Sequence, residues 1–123
     1  NILYEIATKT EVDIVFTPPL HDIHQDHIVL AEEVIRLFRE KTVLGYEVIR
    51  SGYDFIPNLH VKLNKSIVDL KIKASQCYKT QWSTTKSGGY YFSKEIMKGM
   101  MMARGAQFGL EYAEAFEVYH MKL

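Results

Sequence analysis

His21, His24 and His27 fall at i, i+3 and i+6 with Asp22 and Asp26 between them, so three of the chain's five histidines and two carboxylates occupy seven residues. Neutral imidazole is a common zinc ligand, and a catalytic zinc takes three protein ligands and keeps one position open. A carboxylate close by can hold a histidine tautomer from behind or cap a helix, and either Asp22 or Asp26 could do so. If a helix begins near Gln25 or Asp26, His24 and His27 are one turn apart and share a cavity. The positive end of that helix disfavours imidazolium and favours anions. The same residues would also serve as a polar turn whose aspartates cap a helix and whose histidines lie in water, and the H-x-x-H spacing alone leaves both readings open.

The elements that must position this loop follow from hydrophobic periodicity. Residues 12–16, Val-Asp-Ile-Val-Phe, read as a strand with almost no polar alternation, as for a strand covered on both faces of a parallel sheet. After the loop, residues 28–40 have helical spacing. Ile28, Ala31, Ile35 and Phe38 form a stripe flanked by Leu30, Val34 and Leu37, and Glu32 and Arg36 make an i,i+4 pair. The loop therefore sits at a strand's carboxyl end and a helix's amino terminus, where open α/β sheets bind their ligands.

Elsewhere, Ile2, Leu3, Ile6 and Ala7 mark a helix that closes at Lys9-Thr10. Residues 42–50 read as the next strand, ended by Ser51-Gly52, and 53–58 as a loop anchored by Phe55. Leu59, Val61 and Leu63 alternate with His60 and Lys62 in a half-exposed strand that turns His60 to solvent. Ser66-Ile67-Val68-Asp69 matches a capping box and opens a helix through Cys77 and Tyr78. Tyr78-Lys79-Thr80-Gln81-Trp82 forms a polar and aromatic patch, suited to stacking on sugar rings or to packing a helix terminus. Residues 83–89 are small and polar and make a lid candidate. Ser93 caps a helix over 94–103 closed by Gly105, whose Met97, Met100, Met101 and Met102 serve adaptable packing. Residues 112–121 alternate as a terminal strand with His120 at a sheet edge.

A length of 123 residues allows one domain with its own core. Fifteen basic residues balance fifteen acidic ones, so no global field recruits nucleic acid or an anionic membrane. Cys77 is the single cysteine, which excludes an internal disulfide and suggests a reducing, cytoplasmic setting. No apolar run approaches the ~20 residues of a membrane span. Alternating helical and strand segments give an α/β class, a Rossmann-like three-layer fold with a parallel or mixed sheet.

His24-Gln25-Asp26-His27 followed by an apolar helix resembles the H-x-D-H motif of the PIG-L (LmbE-like) family of zinc-dependent N-acetyl-sugar deacetylases. Tyr78-Lys79-Thr80-Gln81 is similar to the family's Y-x-S-Q, and Arg104-Gly105 and Tyr112-Ala113-Glu114-Ala115-Phe116 extend the likeness over nearly the whole chain. The resemblance implies that His27 is a zinc ligand. It implies that His24 stabilises the tetrahedral transition state or shuttles a proton, and that Asp26 orients it. Tyr78, Gln81, Arg104, Tyr112 and Glu114 become substrate-binding candidates. Arg104 also suits a last helical turn on dipole grounds alone. The implied reaction is metal-assisted removal of the acetyl group from an N-acetylglucosamine-type glycoside.

The family's opening A-H-P-D-D-E motif, which supplies two further zinc ligands and the general base, has no counterpart here: no H-P-D-D occurs in the chain. The sequence thus resembles the carboxyl-terminal part of such an enzyme, with one ligand of three. Two other readings follow. A non-catalytic fragment or pseudoenzyme half would act as a structural or binding unit, completed by the amino-terminal half, another chain or a second copy through its open strand edge. A phosphoester hydrolase would use the same loop with a different substrate.

Overall fold

A computed structural model describes residues 1–79, 81, 82 and 90–123, so Thr80 of the Y-x-S-Q-like stretch and the lid candidate at 83–89 lie outside the described residues. In order, the elements are α1 (Ile2–Lys9), β1 (Ile14–Thr17), α2 (Gln25–Leu37), β2 (Thr42–Tyr46), β3 (Leu59–Lys62), α3 (Lys65–Ser75), a 3₁₀ turn (Tyr90–Phe92), α4 (Lys94–Ala106) and β4 (Ala113–His120). The strands form one mixed sheet in the order β1-β2-β4-β3. The expected α/β class is borne out. The chain divides into a first unit, Asn1–Leu59 with Ala115–Leu123, and a second, His60–Glu114.

In the first unit β1 runs parallel to β2, from Ile14 opposite Thr42 to Thr17 opposite Gly45, and β4 runs antiparallel to β2. The register slips between Val43, opposite His120, and Leu44, opposite Val118, which leaves Tyr119 as the extra residue of a bulge. Bulges re-aim side chains, and the consequence for Tyr119 is given below. Val34, Phe38 and Val43 form the core, with Ala7, Val12, Val15, Ile35, Leu37 and Tyr119 packed against it.

Only one face of β1 is covered, against the expectation of two. Ile14 is 52% exposed and Phe16 56%, although the Phe16 ring lies 5.6 Å from that of Phe116. The apolar run was long enough to read as fully buried, but α1 and α2 pack only on the side of Val15. Helix α2 also starts earlier than its stripe suggests, because His24 caps it, and Arg36 pairs with Glu33 (Nε to Oε2, 3.0 Å) instead of Glu32. β2 ends at Tyr46, since 47–52 turn back toward the histidine loop, with the Ile23 N–H donating to the Ser51 carbonyl at 3.1 Å.

The second unit has its own core of Leu63, Val68, Ile72, Met97, Met101 and Tyr112, with Trp82 and Phe92 edge-to-face at 5.5 Å beside it. Its helices are capped by side chains. Asn64 Oδ1 accepts the Ile67 N–H at 3.0 Å, two positions before the expected capping box, and Ser93 Oγ accepts the Ile96 N–H at 3.3 Å as expected. Gly105 falls inside α4 and lets its last turn approach the backbone of 110–112; the positive φ that ends the helix belongs to Gly109.

Candidate active site

The loop after β1 is stiff before it is reactive. Pro18 and Pro19 are buried and fix φ, and the Leu20 N–H donates to the Tyr119 hydroxyl at 2.8 Å. The bulge brings that hydroxyl over Gly45, where a Cβ would come within 2.6 Å of it. Tyr119 in turn donates to Glu117 at 3.1 Å. Burial, with the neighbouring Glu117 charge, pushes the Tyr119 phenol up to about 12 despite the Leu20 N–H, so it is a neutral clamp on the loop.

Asp22 is the hub of the site. It is 2% exposed, and its carboxylate accepts the His24 N–H at 2.8 Å through Oδ1 and faces His27 Nδ1 at 2.7 Å through Oδ2. Burial pushes its carboxyl up. The His24 N–H, the His27 ring, a hydrogen bond from Ser51 and the His27 charge outweigh that and hold it below the ordinary carboxylate value. An ionised carboxylate can only accept, so His27 Nδ1 carries the proton and a neutral ring leaves the Nε2 lone pair free. Burial and the Asp22 charge together raise Tyr46 at the end of β2.

His24 has the opposite tautomer. Its Nδ1 caps α2 by accepting the Asp26 N–H at 3.3 Å, so the proton of the neutral ring lies on Nε2. The two imidazoles stack with centroids 4.4 Å apart and planes 20° from parallel, in the first turn of a 13-residue helix. One ring offers a lone pair and its neighbour an N–H donor. Such a pair can bind an electrophile and hydrogen-bond a developing oxyanion beside it.

Three expected residues are thus brought together, with one exchange of roles. Asp26 reaches His24 through its backbone N–H, and the carboxylate that orients a histidine is Asp22, acting on His27. Ser51 and Tyr119 were not legible as site residues. Ser51 reads as a strand end, and only the bulge turns Tyr119 to the loop.

The expected substrate-binding residues all lie in the second unit. Tyr112 is 6% exposed in its core, and Glu114 pairs with Lys71. Tyr78 is 66% exposed, edge-on to Phe92 with centroids 6.5 Å apart. Gln81 accepts from the Tyr91 hydroxyl at 3.2 Å, and Arg104 donates to Gln107 at 3.3 Å. His60 does not face solvent as expected. Its Nε2 meets the same Gln107 oxygen at 2.8 Å and its ring packs 4.3 Å from that of Phe108, because the end of α4 folds over β3. His120 lies at the end of an interior strand, not at the sheet edge.

Of a zinc site, these residues fit one ligand position. His27 has the free nitrogen and the carboxylate behind it that ligating histidines use, yet no three His, Cys, Asp or Glu side chains among the described residues could hold a metal together. Among the described residues no helix is long and apolar enough to cross a membrane.

No family model and no curated protein matches the chain. Among solved structures, it is similar to the N,N'-diacetylchitobiose deacetylase from Pyrococcus horikoshii in complex with its inhibitor MPG, with a TM-score of 0.68 and 19% sequence identity. The match covers 98% of this chain and 52% of that one, so the chain spans about half the length of its structural neighbour and shares its fold over that half.

Proposed function

We propose that this chain is the carboxyl-terminal part of a metal-dependent N-deacetylase acting on an N-acetylglucosamine-type glycoside. The observation that carries the reading is the stacked His24–His27 pair with opposite tautomers, the second ring backed by buried Asp22, on a fold shared with a chitobiose deacetylase. In the complete domain His27 Nε2 would hold zinc together with ligands from outside these residues, and the metal would supply Lewis-acid polarisation of an acetamide carbonyl. The His24 Nε2–H donates to the oxygen that gains charge, and the amino terminus of α2 favours that charge. Tyr78 is exposed enough to stack on a sugar. Exposed Cys77 suits a reducing cytoplasm.

The test is acetate release from N,N'-diacetylchitobiose by the full protein, with metal content measured in parallel. His27→Ala should lose both metal and activity. His24→Ala should keep metal and lose a factor of about 10²–10³ in kcat. Phosphate release from model esters without acetate release would favour the phosphoesterase reading. One observation favours a second role as a binding unit: the bare apolar face of edge strand β1, which we assign to an amino-terminal half or another copy that completes the sheet.

A further inference from the structure

The histidine loop leaves the sheet at the carboxyl end of β1. At the opposite end, where β2 begins and β4 finishes, Arg39, Glu40, Lys41, His120, Met121 and Lys122 line an open groove of about 440 Å³. That volume lies within the range of small-molecule sites. The chain as a whole is neutral, yet this lining carries a net charge of +2 before any contribution from His120.

The three cations are uncommitted, and two of them have a hydrogen-bonded backbone. Arg39, Lys41 and Lys122 form no ion pair among the described residues, nor do several other lysines of the chain. The Lys41 N–H closes a turn onto the Phe38 carbonyl at 2.9 Å, and the Lys122 N–H donates to Thr42 Oγ1 at 3.0 Å. One end of the groove is therefore tied to the close of α2 and the other to the first residue of β2. His120 adds a second observation. Its Nδ1 is buried with no hydrogen-bond partner among the described residues, so one ring nitrogen of this lining residue is left unsatisfied.

We propose that this groove binds a small phosphate-bearing anion, inorganic phosphate or a phosphate monoester. A dianion matches the +2 lining, a guanidinium fork suits phosphate oxygens, and two ammonium groups supply further donors. The site is separate from the histidine pair, so its occupancy does not depend on the deacetylase reading.

The test is a calorimetric titration of the full protein at low ionic strength with inorganic phosphate and, separately, glucose 6-phosphate, using chloride to control for salt. Saturable binding of either is expected. A monoester affinity well above that of phosphate identifies the organic ligand, and equal affinities identify the free anion. The double variant Arg39→Ala/Lys122→Ala should weaken binding at least tenfold, and His120→Ala several-fold. Arg36→Ala, which removes a cation near the end of α2 that is already paired with Glu33, should leave it unchanged. Thermal melts establish that each variant folds, and His120→Ala decides the matter if the double variant does not. No saturable binding of either probe, or equal weakening by Arg36→Ala, would overturn the proposal.

Discussion

At Asp22 one buried carboxylate fixes a backbone turn through the His24 N–H and a side-chain tautomer through His27 Nδ1. Asp22→Asn keeps the shape but replaces an acceptor-only group with an amide. The amide can satisfy His27 only by presenting its single oxygen, or by donating to Nδ1, which would move the ring proton to Nε2 and block the ligand position. We expect a loss of roughly 1–3 kcal/mol of stability in denaturant melts and, on the proposed function, a metal affinity lowered about 10–100-fold. Tyr119 makes a separate prediction. Its phenol titrates near 10.0 unfolded and about 12 folded, so between those values the folded protein keeps a proton the unfolded chain has released. Stability from this group is complete below pH 10 and is lost as pH rises through 12. Tyr119→Phe should make the alkaline fall of the melting temperature shallower; an unchanged profile would show that the phenol does not couple to folding.

Helix α4 holds two glycines whose surroundings differ, and the same substitution should act on them with opposite sign. At Gly105 a Cβ would lie 2.7 Å from the Leu110 carbonyl oxygen and 2.9 Å from the Tyr112 Cα, backbone atoms that cannot swing away. Gly105→Ala should cost about 1–3 kcal/mol through overpacking, net of its helix-propensity gain. At Gly99 nothing lies within 4 Å, and Gly99→Ala should stabilise by about 0.5–1 kcal/mol. Thermal melts of the two variants side by side check both. Periodicity made α4, its Ser93 cap and its buried Met97 and Met101 readable in advance, as it did α2 and the placement of the histidine loop between β1 and α2. It could not show that Asn64 outcompetes Ser66 for the cap, because both side chains suit the position and only the path of the chain chooses. Nor could it show that Asp22, not Asp26, backs a histidine. That depends on where α2 begins, and His24, an unusual cap, decides it.

For the whole molecule, the open question of packing is concentrated on β1. It is an edge strand with one set of backbone groups unpaired among the described residues, and Ile14 and Phe16 present an apolar face that α1 and α2 do not reach. Flat apolar edges pair with other chains, and soluble proteins usually blunt them with charge or proline; here the two residues that point outward are an isoleucine and a phenylalanine. The 123-residue chain on its own should therefore associate in a concentration-dependent way in sedimentation velocity. Ile14→Lys with Phe16→Lys should shift it toward monomer while leaving the melt of the second unit unchanged. Ile67→Lys, which charges an exposed position on α3, should leave the association as it was. A monomer at every concentration would mean that the face tolerates water as it stands, and the binding role assigned to β1 would have to be given up. Association that survives the β1 charges but not the α3 charge would move that role to the second unit.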